Sequence, residues 1–300
     1  MSTHAAAFTM ATQLQFDIYF EFAVLAILVF DYCITFGTEV TWTWNRPWTF
    51  VRVLLSLARY LPFIVVPMFI YNSLSSISVA DCRPLVEAIS WLINIAIMAA
   101  ECLLLIRTWV LCGRKQTVLV GLIVTALGCF AVAVIMNVIA IRAIKYENHP
   151  QSLSSCFEAF RPSSYVWSFL SLAIFELAIL LLTVPQIFRY DRRSRIFVAM
   201  RNDIVYILFI FGMSVVNTSI VKGVYSGPVI ILQVVIHSVL ASRLLFSLRQ
   251  IMQQQNTPCG ESIAQSSVDV EMLPIVTVKS QGGNVSSSTE SLKGLRESTS

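Results

Sequence analysis

The chain has 300 residues, of which 56% are hydrophobic and only 13% charged, with a formal net charge of +4. That balance excludes an ordinary soluble domain, in which roughly 25% of residues are charged. It also gives no support to a nucleic-acid partner, because the basic residues stand in short clusters at the ends of apolar runs and form no soluble basic face.

The runs are about twenty residues long, the length at which a helix rising about 1.5 Å per residue crosses about 30 Å of hydrocarbon. In chain order they cover Phe16–Phe36, Phe50–Tyr71, Leu85–Cys112, Thr117–Ile141, Tyr165–Phe188, Ile204–Val221 and Pro228–Leu248. The pattern predicts an all-α fold, a polytopic seven-transmembrane bundle over residues 1–252. The sixth run is the thinnest, since Asn217, Thr218 and Ser219 stand at its outer end, and six spans is the rival count. No Lys or Arg precedes the first run and no small-residue cleavage site follows it, so it reads as a retained helix and not as a removed signal peptide.

Orientation follows from the basic residues, which collect on the cytosolic side. With the N-terminus outside, Arg46, Arg52, Arg107, Arg114, Lys115, Arg189, Arg192, Arg193, Arg195, Arg201, Arg243 and Arg249 fall inside, against Arg83, Arg142, Lys145, Arg161 and Lys222 outside. Residues 253–300 turn to Ser, Thr, Gly and Gln and bury nothing, which predicts a disordered cytosolic tail open to kinases at sites such as Ser266, Ser287 and Ser291. The aromatic group Trp42, Trp44, Trp48 and Phe50 between the first two helices reads as an interfacial anchor.

The stretch from Phe30-Asp31-Tyr32 through Thr35-Phe36 to Glu39-Val40, followed by Trp44, Trp48 and Arg59-Tyr60-Leu61-Pro62, resembles a fungal domain-of-unknown-function family found at the N-terminus of multi-pass membrane proteins in mushrooms. The resemblance covers about residues 19–65, and Ser242-Arg243-Leu244-Leu245 looks like the end of that family's last helix. Gly37-Thr38 stands where the family pattern leads to a charged residue. The resemblance implies seven helices in a fungal membrane and no activity.

An ionisable side chain at the centre of a membrane helix costs about 2.5 to 3.5 kcal/mol on insertion scales, so each needs a partner or a role. Counting from the helix ends puts Arg59, Glu101, Glu176 and His237 near mid-membrane and Asp31 nearer the inner face. Asp31, Arg59 and Glu101 are the expected triad, read first as a clamp joining helices one to three and second as part of a ligand or proton path. Pro62 and Pro67 free the carbonyls of Ala58 and Phe63, so a bend beside Arg59 is expected.

Cys33, Cys102 and Cys129 fall within spans and read as small buried residues, and Cys112 and Cys259 as candidate palmitoylation sites. Cys82 and Cys156 face the oxidising side in this topology. A disulfide between them would staple the long outer loop over helix three, an arrangement resembling the loop staple of G-protein-coupled receptors; two free thiols is the alternative.

No phosphate-cradling glycine loop, His-Glu-x-x-His, Gly-x-Ser-x-Gly or paired-cysteine metal spacing occurs. With three histidines, no multi-histidine metal centre is expected. The expectation is a non-enzymatic, cofactor-free orphan of receptor-like layout, with its cavity lined by Arg59, Glu101, Glu176 and His237. Its partners would be the bilayer, the plasma membrane first and an endomembrane as the alternative, and cytosolic signalling proteins at the Arg189 to Arg201 loop and the tail. A small transporter and a non-signalling scaffold are the rival classes.

Overall fold

The computed structural model describes residues 2–42, 48–75, 79–143, 145–146, 158–160, 164–187, 195–220 and 226–256. They form α1 (Ser2–Trp42), α2 (Phe50–Tyr60), α3 (Pro62–Leu74), α4 (Val79–Leu111), α5 (Gln116–Ala143), α6 (Ser164–Ile187), α7 (Arg195–Ile220) and α8 (Ser226–Asn256). Between α5 and α6 a two-stranded antiparallel ladder pairs β1 (Lys145–Tyr146) with β2 (Glu158–Phe160), the one departure from the all-α expectation among the described residues. The chain separates into units Met1–Gly260 and Glu261–Ser300, the second of which lies outside the described residues, as does the expected tail from residue 257 onward. α8 itself runs on to Asn256, a little past the expected end of the bundle at residue 252.

Among the described residues, six helical stretches are long and apolar enough to cross a membrane: Gln15–Thr41, Phe50–Leu74, Asp81–Leu111, Gln116–Ala143, Ser164–Gln186 and Val229–Ser247. The apolar part of α7, Ile204–Ser219, is shorter. α2 and α3 together make one of the spans, broken where expected. Pro62 cannot donate to Ala58, so α2 ends at Tyr60, and α3 restarts with Ile64 and Val65 donating to the carbonyl of Leu61 at 2.9 and 3.0 Å. Pro67 stays inside α3 without ending it.

Packing places α4 and α8 at the centre. One cluster joins Leu55 and Ala58 of α2 to Ala100 and Leu103 of α4 and Leu245 of α8. A second joins Leu104 to Leu122, Phe175, Ile210 and Leu244 across α4 to α8. A third joins Val24 and Leu28 of α1 to Val66 of α3 and Val235 of α8. Outside these clusters the surface is apolar: Phe22, Ile27, Phe30 and Ile34 on α1, and Val120, Val124, Leu127 and Ile135 on α5, are all exposed. Such faces are aggregation-prone in water but match hydrocarbon tails, and with lipid as solvent the polar side chains are the ones that turn inward.

The α4–α5 connection is tight. Gly113 (φ 72) and Arg114 (φ 56) take the left-handed conformation that lets the amides of Gly113 and Arg114 cap the carbonyls of Val110 and Trp109. We call this the near end of the bundle, where α1 also stops and α2 begins. Trp48 and Phe50 are exposed there, as an interfacial anchor requires, while Trp44 lies outside the described residues. At the far end, Cys82 in the first turn of α4 is buried and disulfide-bonded. Its expected partner, Cys156, lies outside the described residues, as do Cys259 and most of the basic loop from Arg189. Cys112 is buried with its Sγ 4.0 Å from the carbonyl of Leu182, an enclosed thiol that does not fit a lipid attachment site. Arg52 and Arg107, read from the sequence as end markers, are likewise buried in the bundle.

Candidate functional site

The expected triad does not form. Arg59 turns to α1, where its Nε stands 2.8 Å from Glu39 Oε2 and its Nη2 donates to Thr35 Oγ1 at 2.5 Å. Its guanidinium also lies 5.1 Å from the ring centre of Tyr32 and 5.7 Å from that of Phe246, a stacking arrangement that suits a planar cation. Glu39 accepts a second bond, from Tyr60 Oη at 2.7 Å. Asp31 pairs with Arg243 of α8 at 2.7 Å, and Glu101 faces His237 instead. The reason is azimuthal: Asp31, Thr35 and Glu39 recur every fourth residue and so share one face of α1, which α2 and α8 cover. This near-end layer ties α1, α2 and α8 together. Glu21, which accepts from Ser73 Oγ at 2.9 Å, ties α1 to α3 further up.

A second polar layer lies about six residues, or roughly 9 Å of helix, from Arg243 along α8. Here α4 contributes Glu101, α6 Glu176, α7 Ser214 and Asn217, and α8 Gln233 and His237, every one of them at most 1% exposed. His237 Nδ1 lies 2.9 Å from the backbone carbonyl of Gln233. A carbonyl only accepts, so in this contact Nδ1 carries the proton and Nε2 is left to address the acids. Nε2 stands 2.9 Å from Glu176 Oε1 and 3.1 Å from Glu101 Oε1.

From Glu176 the network runs on into α7 and back to α8. Ser214 Oγ donates to Glu176 Oε1 at 2.8 Å, Gln233 Nε2 donates to Ser214 Oγ at 2.8 Å, and Asn217 Nδ2 donates to Gln233 Oε1. Asn217, which looked from the sequence like a weakness in the sixth span, is therefore a buried partner. Thr218 and Ser219 satisfy themselves on the carbonyls of Ser214 and Val215. The acids are less well served. Glu101 Oε2 and Glu176 Oε2 are buried without a hydrogen-bond partner, and the contact of Glu101 Oε1 with His237 is off the hydrogen-bond line. Buried acceptors left open in this way are costly and call for an explanation.

A cavity of about 120 Å³ opens on the far-end side of this layer. Its lower wall is made by Met98 and Phe175, within a turn of Glu101 and Glu176 in sequence, and by Cys129 of α5, and its upper wall reaches Asn72, Val86, Tyr165 and Ile230. The lining is apolar and aromatic with a few amides and hydroxyls, including Ser90, Asn94, Asn137 and Ser168, the composition of small-molecule pockets. Asn137 is buried with its Nδ2 unpartnered, and Asn72 Oδ1 is also buried without a partner. None of the four residues expected to line a cavity lines this one: Glu101, Glu176 and His237 stand outside its wall, and Arg59 lines only a pinhole with Asp31 and Tyr32.

The sequence puts Glu101, Glu176 and His237 at one level, but does not mark Ser214 and Gln233 as joining them, or Glu39 and Arg243 as the partners of Arg59 and Asp31. A usable signal existed. Ser214 and Asn217 are three apart, and Gln233 and His237 four apart, so each pair presents one polar helix face in a chain segment that otherwise faces lipid or core.

No curated protein and no solved structure matches the chain. Residues 19–64 match a family of unknown function (DUF6533). That segment contains Asp31, Glu39 and Arg59, hence much of the near-end layer, and none of the residues of the second layer. With six membrane-crossing stretches and this match, the chain is an integral multi-pass membrane protein carrying a segment similar to a family of unknown function.

Proposed function

We propose that this protein is a seven-helix, receptor-like membrane protein that takes a small amphipathic molecule into the cavity between α3, α4, α5 and α6, with no enzymatic step. α7 is the seventh span in this reading: it is helical from Arg195 to Ile220, and of the polar groups that thin its end Asn217 is engaged by Gln233 of α8 while Thr218 and Ser219 bond within α7. The N-terminus lies outside and the tail in the cytosol, so the cavity opens outward and the near end meets cytosolic partners through the Arg189 to Arg201 loop and the tail. The observation that carries the reading is the cavity itself, with unpartnered amide atoms of Asn72 and Asn137 in its walls and the Glu101–Glu176–His237 layer directly beneath. Its volume is many times the roughly 10–15 Å³ that one water centre needs.

Occupancy of the cavity would press on Met98 and Phe175 and so on the helices that hold Glu101 and Glu176, biasing the packing of α4, α6 and α8. A thermal-shift screen of small amphipathic compounds on the purified chain tests this. Compounds that raise the melting temperature of the wild type are expected to lose that effect in Ala133→Trp, which fills the cavity, and to be weakened about tenfold by Asn137→Leu, since a hydrogen bond to an otherwise unpaired buried group contributes about 1–3 kcal/mol. Hits indifferent to both changes would remove the cavity from the account. Proteoliposome flux of a hit compound would favour a transporter over the receptor. Topology has its own check: an acceptor site inserted beside Lys145 is expected to be glycosylated, and one in the tail to stay bare.

The same orientation places Cys82 and Cys156 on the oxidising side. Digestion without reductant is expected to yield a Cys82–Cys156 linked peptide, and Cys82→Ser to destabilise the chain by about 2–5 kcal/mol. A linked peptide joining Cys82 to Cys259 would overturn both the pairing and the topology.

A further inference from the structure

We propose that Glu101, Glu176 and His237 form a binding site for a divalent first-row transition ion such as Zn²⁺ in the buried layer next to the cavity. Each residue offers one ligand atom, and these atoms lie within 4.8 Å of one another. His237 Nε2 is already 2.9 and 3.1 Å from the two carboxylates. Zinc bonds to nitrogen and oxygen of about 2.0–2.2 Å set neighbouring ligands roughly 3.3–3.5 Å apart in a tetrahedron, so the two His237 contacts open by a few tenths of an ångström while the two carboxylate oxygens settle at that spacing from each other.

Three further observations point the same way. The first is charge: with both carboxylates ionised, a divalent cation beside a neutral imidazole cancels their two negative charges, and among the described residues no Lys or Arg pairs with either acid. The second is the open acceptors, Glu101 Oε2 and Glu176 Oε2, nine-tenths or more buried and left without hydrogen bonds. The third is the surrounding support. Metal-bound histidines donate their other ring nitrogen to a carbonyl or carboxylate, and bound carboxylates are themselves hydrogen-bonded. His237 Nδ1 on the Gln233 carbonyl and Ser214 Oγ on Glu176 provide both. The Ser214–Gln233–Asn217 chain then holds α7 and α8 in register around the site.

The donor set selects the ion. Calcium takes six to eight oxygens, more than this site offers, and imidazole favours zinc and its neighbours over magnesium. Three protein ligands leave a fourth position for water or for a molecule entering from the cavity. Histidine counting set metal aside at the level of sequence because a site of this kind needs one imidazole and two acids, which no local spacing announces. The inference rests on the reading above only for the cavity as the route of entry; metal binding and compound binding are measured separately, so each fails on its own.

The test uses the full-length chain, purified in detergent without an affinity tag, in a His4→Ala/His149→Ala background that leaves His237 as the sole imidazole. After chelator treatment, Co²⁺ is expected to bind at one equivalent with the visible absorption of a four- or five-coordinate site, to be displaced by Zn²⁺, and Zn²⁺ but not Ca²⁺ is expected to raise the melting temperature. Glu101→Gln and His237→Gln should abolish the absorption, Ser214→Ala should weaken binding 10- to 100-fold, and Asp31→Asn, in the other layer, should leave it unchanged. Absence of Co²⁺ absorption in the parent chain overturns the proposal, and so does equal absorption in Glu101→Gln and His237→Gln. Because the parent titration decides alone, a variant that fails to fold does not spare the proposal.

Discussion

Arg59→Ala is expected to be among the most damaging single changes in the chain, lowering stability by about 3–5 kcal/mol, the cost of removing one partner from a buried ion pair. Glu39 is 2% exposed and would keep its charge with only Tyr60 to answer it. Thr35 would lose a donor, and the faces of Tyr32 and Phe246 would lose the cation between them. Arg59→Lys should recover part of the loss, because the ammonium keeps the charge but cannot stack between two rings while reaching both Glu39 and Thr35. Adding Glu39→Gln to Arg59→Ala should restore more, since it removes the stranded charge. The measurement is the thermal midpoint of the detergent-purified chain across these three variants and Arg59→Ala/Glu101→Gln. Were Glu101→Gln, in place of Glu39→Gln, to rescue Arg59→Ala, the pairing described here would be wrong and the triad read from the sequence would be right.

His237→Leu should do comparable harm, about 3–5 kcal/mol by the same logic, since it leaves two buried carboxylates face to face with no donor between them. His237→Gln should cost less because an amide N–H still reaches the acids. The two acids should also differ. Glu176→Leu orphans Ser214, which donates to it, and through Ser214 disturbs Gln233 and Asn217. Glu101→Leu leaves no such chain behind, and its only polar contact among the described residues is with His237. The expected order of loss is therefore His237→Leu, then Glu176→Leu, then Glu101→Leu. Near-equal thermal midpoints for the three would mean that the hydrogen-bonded chain beyond Glu176 does not hold the layer.

These two layers show how far one-dimensional reading goes. Depth along a helix is counted in residues, so the level shared by Glu101, Glu176 and His237 could be read from span ends alone. Which residue an Arg meets at that depth depends on the rotation of each helix about its axis and on which helices are neighbours. Depth alone pairs Arg59 with Asp31 and Glu101, whereas α1 stays helical to Trp42 and carries Glu39 far enough to take it. Arg243 was counted as a topology marker because it stands near the end of an apolar run, yet it turns inward to Asp31. Asn217 looked like a polar defect because its partner, Gln233, sits on the next helix.

By itself the sequence determined that lipid is the solvent, where the helices run, that the second span bends at Pro62, and that several ionisable groups must be buried. Each of these follows from local composition, from the fixed rise of a helix or from a missing amide proton. Only the tertiary structure decided that the buried charges fall into two separate layers, that α4 and α8 form the centre, and that a cavity stands over the Glu101–Glu176–His237 layer. The physical reason is that burial in lipid constrains what faces inward but not with whom it pairs. That choice is made by helix rotation and packing, which no stretch of the chain encodes alone.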